Sequence, residues 1–234
     1  MGVCNYISMT GFFLSFEGNE TAGKTTQAPL LCKSLEAEGF EVVSVREPGG
    51  TEIGEAVRSI LKNPTYKDMA LATELLLFAA CRAQVVKEVI EPALAAGKIV
   101  VADRFHDSTT VYQGIVREQP ILALQAITEF ACAKLVPDLT ILLHVELETI
   151  HKRLAERGGK LDRFEQEGDE FLKKVRDGYE YLQLTTPARI RPIITDALTI
   201  PEVAEHALCL TKAWLNRSGR EVVRNGVLET YVGE

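Results

Sequence analysis

Short apolar runs alternate with longer amphipathic segments along most of this chain. Five of the runs are typical of buried strands, and we expect strands at 11–17, 41–47, 98–103, 139–145 and 190–195. Segments with helical periodicity lie at 24–38, 52–62, 70–97, 148–157 and 200–216, with further helices expected before Val136 and after 168. Strands that alternate with helices predict an α/β fold, in which a five-stranded parallel sheet carries helices on both faces.

The carboxyl ends of the predicted strands carry most of the chemically interesting residues. In a parallel sheet these ends meet along one edge, and that edge is where ligands bind. The rule brings together the segments 17–26, 46–51 and 103–113. We therefore expect the functional site at this edge.

The first of these segments contains a phosphate-binding loop. Residues 18–25 read G-x-x-x-x-G-K-T, between the first predicted strand and the first predicted helix. Backbone N–H groups and the helix N-terminus bind phosphate in such a loop, the lysine reaches the outer phosphates, and the threonine hydroxyl ligates Mg²⁺. The predicted ATP-binding residues are Gly18, Asn19, Glu20, Thr21, Ala22, Gly23, Lys24, Thr25 and Thr26. This loop alone does not name a function, because kinases, switches and motors share it.

Composition excludes several other classes of protein. The 234 residues carry a net charge of −7, which argues against a nucleic-acid-binding protein with a basic surface. No apolar span is long enough for a membrane helix, and the five widely spaced cysteines fit a reducing compartment. We expect a cytoplasmic protein with one domain at 10–217 and terminal extensions at 1–9 and 218–234. The second extension contains Asn225-Gly226, which is compatible with a hairpin or with a disordered tail.

Several motifs beyond the phosphate-binding loop resemble those of the thymidylate kinase family. The resemblance covers about residues 10–215 and rests on separated stretches: "FEGNETAGKTTQ", "REPGGT", "ELLLFAACRAQ", "DRFHDSTTVYQG", "PDLTILL" and "RLAERGGKLDRFE". It implies a P-loop kinase fold with a short lid at about 153–168. It also implies transfer of the γ-phosphoryl group of ATP to dTMP, assisted by Mg²⁺, in a homodimer.

The resemblance also implies a role for individual residues. Arg46 and Arg104 hold the acceptor phosphate, and Phe78 stacks on thymine. Arg82 donates to the base O4, Tyr112 excludes ribose, and Asp103 supports Mg²⁺ together with Thr25. The base pocket also includes Ser108, Thr109 and Gln113. The implied catalytic residues are Lys24, Arg104, Arg157 and Glu20.

Two positions depart from the family pattern. The phosphate-binding loop has Thr21 where one subgroup has arginine and another has glycine; Arg153, Arg157 and Arg163 favour the second, bacterial subgroup, which carries arginines in the lid. His144 stands where the family often has aspartate, and we assign it no role.

The residues leave some alternatives open. A kinase for another nucleoside monophosphate, or a regulatory P-loop protein, would carry the same loop. Phe78, taken without the resemblance, is compatible with an ordinary core aromatic. The apolar surplus of the long helix near 70–96 fits a dimer interface or burial in a monomer.

Overall fold

The parallel sheet at the centre of the molecule has the predicted fold class. The computed structural model describes residues 10–232, so the expected extension at 1–9 lies outside the described residues. Within that part of the chain the sheet order is β2-β3-β1-β4-β5, and every pair is parallel. The strands are β1 Phe12–Glu17, β2 Val42–Arg46, β3 Ile99–Asp103, β4 Leu139–His144 and β5 Ile190–Ile194.

Helices cover both faces of this sheet. They are α1 Lys24–Ala37, α2 Glu52–Lys62, α3 Leu71–Val85, α4 Glu91–Ala95, α5 His106–Thr109, α6 Ile121–Ala131, α7 Leu147–Arg157, α8 Asp169–Thr185 and α9 Ile200–Arg217, with π-helical turns at Val86–Ile90 and Thr110–Val116. Residues of β1 alternate between the two cores: Phe12 and Leu14 pack with α1 and α9, whereas Phe13 packs with the segment 85–94. Apart from the long helix at 70–97, the predicted strands and helices are thus confirmed, with ends that shift by one or two residues.

The long helix predicted at 70–97 is interrupted, which corrects the sequence-based expectation. It contains α3, the π-helical turn Val86–Ile90 and α4. Pro92 lies in the first turn of α4 and has no N–H to donate to a preceding carbonyl. A wider turn before the proline accommodates its ring, while the apolar pattern continues through the break.

The second extension forms a hairpin, β6 Glu221–Arg224 and β7 Val227–Thr230, and not a disordered tail. Asn225 and Gly226 both have positive φ, as the tight turn requires. The backbone N–H of Glu221 donates to Thr10 O and that of Val223 to Gly97 O, at 3.0 and 2.8 Å. The hairpin therefore closes the amino ends of the strands, opposite the predicted site.

A pair of valine variants tests the contribution of this hairpin to stability. Val222 is fully buried and Val227 is 61% exposed. We expect Val222→Ala to lower the free energy of unfolding by about 2 kcal/mol, because two buried methyl groups are lost, and Val227→Ala to change it little. Urea titration measures both, and turnover should stay at the wild-type level. Equal midpoints for the two variants would contradict a buried, stabilising hairpin.

No helix in residues 10–232 is both long and apolar enough to cross a membrane.

Candidate active site

The phosphate-binding loop joins β1 to α1 at the point where the strand order reverses. Gly18 has a φ of 136°, and a Cβ there would lie 2.4 Å from the carbonyl oxygen of Leu143, so the position requires glycine. Gly23 has a φ of 105° and leads directly into α1. Thr21 also has a positive φ, of 55°, which is costly for a β-branched residue. The loop thus holds its shape although one of its positions is strained.

Lys24 lies folded back on this loop. Its Nζ donates to Gly18 O at 2.9 Å and to Asn19 O at 2.6 Å, and the residue is only 6% exposed. Burial, and then the positive charge of Arg104, lower the pKa of Lys24 to about 7. A phosphate bound in the loop would place a negative charge beside this ammonium group.

Thr25 and Asp103 meet beside Lys24. The Thr25 hydroxyl donates to Asp103 Oδ2 at 2.7 Å. Asp103 ends β3, which pairs with β1, so adjacent strands bring together residues that are far apart in sequence. The two side chains offer a hydroxyl and a carboxylate oxygen, the kind of ligand that Mg²⁺ prefers.

A cavity of about 210 Å³ opens between the phosphate-binding loop, β3 and α3. Most of the predicted catalytic and acceptor residues line it: Glu20, Lys24, Arg46, Phe78, Arg104, Ser108, Thr109, Tyr112, Gln113 and Arg157, together with Thr21, Thr25 and Asp103. A second cavity of about 270 Å³ borders the other side of the loop. Its lining includes the predicted Thr21, Ala22, Gly23 and Thr26, and also Arg153 and residues around α9. The two cavities meet at Thr21.

Arg104 is the most constrained cation in the first cavity. Its φ of 73° places it in the left-handed region. Nη1 donates to Ser108 Oγ and Tyr179 Oη, at 3.0 and 3.1 Å, and Nη2 donates to Glu20 Oε1 and Tyr112 Oη, both at 3.2 Å. Burial alone would lower the pKa of Arg104, but the two tyrosines and the nearby carboxylates raise it well above its usual value. The guanidinium is therefore a fixed positive charge.

Glu17 holds the groups that contact Arg104, and sequence analysis did not single it out. Its Oε2 accepts from Ser108 Oγ at 2.6 Å and from Tyr179 Oη at 2.7 Å, so it holds two of the groups that contact Arg104. Burial, and then the charge of Asp107, raise the pKa of Glu17. A glutamate at the end of the apolar run "FFLSFE" was a usable signal, whereas Tyr179 has no local signature in α8.

Arg82 lies behind the cavity wall. It is 1% exposed, and its Nε donates to Glu47 at 2.8 Å. Its Nη2 donates to Phe105 O at 3.1 Å, and its Nη1 donates to Thr109 Oγ1 at 2.7 Å. Thr109 lines the cavity, so Arg82 is one residue away from it. Direct donation from Arg82 to a base remains a prediction.

Arg46 and a second arginine, Arg58, face the cavity from the β2–α2 side. Arg46 Nη2 donates to Glu55 Oε1 at 2.6 Å. Arg58, which sequence analysis did not single out, donates to Pro48 O at 2.6 Å and also lines the cavity. Burial, and then the charge of Arg46, lower the pKa of Arg58. Arg58 lies in α2, seven residues after the end of "REPGGT", and no motif marks it in the sequence.

The three arginines of the predicted lid lie in different environments. Arg157 lines the first cavity and makes two hydrogen bonds to Glu165, at 2.8 and 2.9 Å. Arg153 donates to Thr21 O at 3.1 Å and borders the second cavity. Arg163 is 6% exposed and is paired with another carboxylate outside the cavity lining. His144, which was given no role, pairs with Glu180 at 2.9 Å.

Comparisons with known proteins agree with this geometry. A family model described as thymidylate kinase matches residues 16–205. The thymidylate kinase of Exiguobacterium sibiricum is 45% identical over 86% of this chain and 93% of that protein, and the one from Pelotomaculum thermopropionicum is 46% identical over 79% and 86%. The crystal structure of thymidylate kinase from Ehrlichia chaffeensis superposes with a TM-score of 0.69 at 30% identity, covering 86% of this chain and 98% of that one. Since the matches span nearly all of the relatives and most of this chain, the protein belongs to the thymidylate kinase family.

Proposed function

We propose that this protein transfers the γ-phosphoryl group of ATP to dTMP and so produces dTDP. The observation that carries the proposal is one cavity that is lined both by the phosphate-binding loop and by Arg46 and Arg104. Two phosphate-binding elements in one cavity fit a donor and an acceptor phosphate. A regulatory P-loop protein needs only the first of them.

The donor occupies the phosphate-binding loop. Backbone N–H groups at the start of α1 hold its phosphates, and Lys24 leaves the loop carbonyls to reach the outer ones. The second cavity continues from the loop toward α9 and takes the base of the donor, with Arg153 at its edge. Thr21 marks the boundary between the donor and the acceptor.

The hydroxyl of Thr25 and the carboxylate of Asp103 fit Mg²⁺. Both groups offer hard oxygen ligands, and the 2.7 Å between their oxygens supports a site that they share. Thr25 and Asp103 would hold the ion, Asp103 through water. When bound, Mg²⁺ offsets the negative charge on the donor phosphates.

The acceptor occupies the opposite side. Arg46 and Arg104 bind its phosphate, because a guanidinium can orient a phosphate through two hydrogen bonds. Phe78 stacks on the thymine ring, and Tyr112, held by Glu20 at 2.7 Å, limits the space beside the sugar. Thr109 and Gln113 complete the base pocket. Arg82 stays the predicted donor to the base O4, and this contact requires its Nη1 to exchange the hydrogen bond to Thr109 for one to the base.

Positioning and charge neutralisation carry this reaction. A phosphate monoester has a second pKa of about 6, so at neutral pH the acceptor is already mostly dianionic and needs no general base. The remaining difficulty is the approach of two polyanions. Lys24, Arg104 and Arg157 supply positive charge, and movement of Arg157 from Glu165 toward the phosphates would exclude water from the site.

Binding of the acceptor alone separates this proposal from a regulatory P-loop protein. We expect dTMP without ATP to raise the melting temperature, because a ligand that binds only the native state stabilises it. The same concentration of dGMP should give little shift, since its larger base does not fit the pocket. Differential scanning fluorimetry measures both. An unchanged melting temperature with dTMP would contradict the proposed acceptor site.

We also propose a homodimer that is formed through α2, α3 and α6. α3 packs against both α2 and α6. Large apolar side chains on these three helices remain exposed: Ile53, Ile60, Leu71, Leu76, Leu122 and Phe130. A second copy of the chain that covers this face would remove the surface from water.

A single charge introduced into this face tests the dimer. Phe130 is 88% exposed. We expect Phe130→Asp to shift the protein from dimer to monomer in analytical ultracentrifugation. Leu184→Asp is the matched control, because Leu184 is 72% exposed on α8. Equal mass for both variants at the same concentration would contradict the assignment of this face.

The proposed location is the cytoplasm. ATP is available there, and the free thiols of Cys32, Cys81 and Cys132 fit a reducing compartment.

A further inference from the structure

A buried carboxylate, Glu74, lies directly behind the base pocket. It is in the first turn of α3 and is 1% exposed. Its Oε2 accepts from Arg163 Nη1 at 2.6 Å, and its Oε1 accepts from Gln113 Nε2 at 2.8 Å. Arg117 Nε lies 3.7 Å from the same Oε1. Each oxygen of Glu74 therefore has a fixed partner.

The arginine partner fixes the position of this carboxylate. Arg163 also donates to Leu61 O at 2.8 Å, and its guanidinium lies over the ring of Phe164, 4.4 Å from the centroid. Both oxygens of Glu74 already accept hydrogen bonds, one from a guanidinium, which has no acceptor atom to offer, and one from an amide N–H. Glu74 can thus contact only the donor end of an amide.

This restriction determines which end of the Gln113 amide remains for a ligand. Gln113 is 2% exposed and lines the cavity. Because its nitrogen must face Glu74, its carbonyl oxygen is left over, and no hydrogen bond from a described residue reaches that oxygen. A free glutamine could rotate its amide by 180° and present either end. Here the ion pair of Glu74 with Arg163 holds the Gln113 amide in one of the two orientations.

We propose that Glu74 is a positioning residue that sets the amide orientation of Gln113 and so selects acceptor bases with an N–H at N3. Thymine and uracil carry this N–H, and the Gln113 oxygen accepts it. Cytosine has a lone pair at N3 and an amino group in place of O4, so the same oxygen would face another acceptor. The inference rests on the proposed acceptor site and adds the element that makes that site reject cytosine.

The test compares ratios of kcat/KM for dTMP, dUMP and dCMP in wild type and Glu74→Gln. A glutamine at 74 can present either a donor or an acceptor, so Gln113 becomes free to turn. We expect the preference for dTMP over dCMP to fall about tenfold or more, the range for one lost base contact. The preference for dTMP over dUMP should stay constant, because both bases carry the N3 hydrogen. A merely structural lesion would lower all three rates together.

Matched variants make this reading specific. Glu88→Gln changes an exposed glutamate and should leave every ratio unchanged. Glu74→Gln combined with Gln113→Glu again leaves only an acceptor toward the base and should restore rejection of dCMP. Glu74→Asp keeps the charge and shortens the side chain, so it should lower the dCMP discrimination even if Glu74→Gln does not fold. Calorimetric binding of dCMP supports the comparison where turnover is too slow.

Two results would overturn the inference, and they are distinguishable. If Gln113→Ala weakens rejection of dCMP but neither Glu74→Gln nor Glu74→Asp does, Gln113 reads the base without help from Glu74. If Gln113→Ala also leaves the dTMP to dCMP ratio unchanged, Gln113 does not contact the base. In that case the proposed base pocket itself is wrong.

Discussion

Replacing Arg104 with alanine is expected to lower kcat/KM for dTMP by about 10³-fold or more, the range for loss of an arginine at a transferring phosphoryl group. Arg104 is the cavity cation that Ser108, Tyr112, Tyr179 and Glu20 hold in one position. Without the guanidinium, the acceptor phosphate has no oriented partner beside the donor. Steady-state kinetics of the purified variant measure the loss.

Controls separate this loss from unfolding. Arg104→Lys should recover little activity, because an ammonium group cannot make the two parallel hydrogen bonds of a guanidinium. Arg176→Ala removes an arginine from surface ion pairs and should keep wild-type turnover. ATP should still stabilise Arg104→Ala against heat, since the phosphate-binding loop is intact. Wild-type turnover in Arg104→Ala would contradict the role proposed for this residue.

Lys24→Met should have the second large effect, which is expected on activity and not on stability. Turnover is expected to fall by about 10²-fold or more, because the charge that reaches the outer phosphates is lost. Stability at neutral pH should not fall. The pKa of Lys24 is lowered to about 7, mainly by burial, which means that the charged form is unfavourable in the folded protein.

The sign of the stability effect follows from the two states. In the unfolded chain the lysine has a pKa of about 10.4, so below that pH the unfolded state is protonated. Burial disfavours the protonated lysine in the folded state, and this lowers the free energy of unfolding. Methionine removes this cost and keeps a side chain of similar length, while the hydrogen bonds to Gly18 O and Asn19 O are lost. Urea titration at pH 7 and turnover are measured on the same preparation. A variant that turns over ATP and dTMP normally would contradict the role of Lys24.

The sequence patterns predict the strands and the phosphate-binding loop well, because both depend on local signals. The run 12–17 is apolar at four of its six positions since β1 is buried on both faces, and the glycines at 18 and 23 mark backbone with positive φ. Helix ends were also close, as with α2, where the Thr51 side chain caps the first turn. Such local patterns can be recognised in the sequence without knowledge of the fold.

Other features depended on partners that are distant in sequence. Arg163 was grouped with the lid arginines, but Glu74, 89 residues away, holds it in a buried pair. Arg82 points toward Glu47 and Thr109, which the motif "FAACRAQ" could not reveal. The hairpin at 221–230 is ordered because its backbone bonds to Thr10 and Gly97, which precede β1 and β3, a surface that only the folded chain creates. Long-range hydrogen bonds decided each of these cases.

Release of ADP that depends on the acceptor offered is the most direct test of phosphoryl transfer to dTMP. With ATP and Mg²⁺ present, a coupled assay offers dTMP, dUMP, dCMP, dGMP and thymidine separately. We predict strong turnover with dTMP and weaker turnover with dUMP, since one methyl group in an apolar pocket is worth only about 1–3 kcal/mol. Turnover of the other three should lie below the detection limit of this assay, for thymidine because it lacks the phosphate that Arg46 and Arg104 bind. ATP binding without turnover of dTMP, or turnover of thymidine in its place, would contradict the proposed reaction.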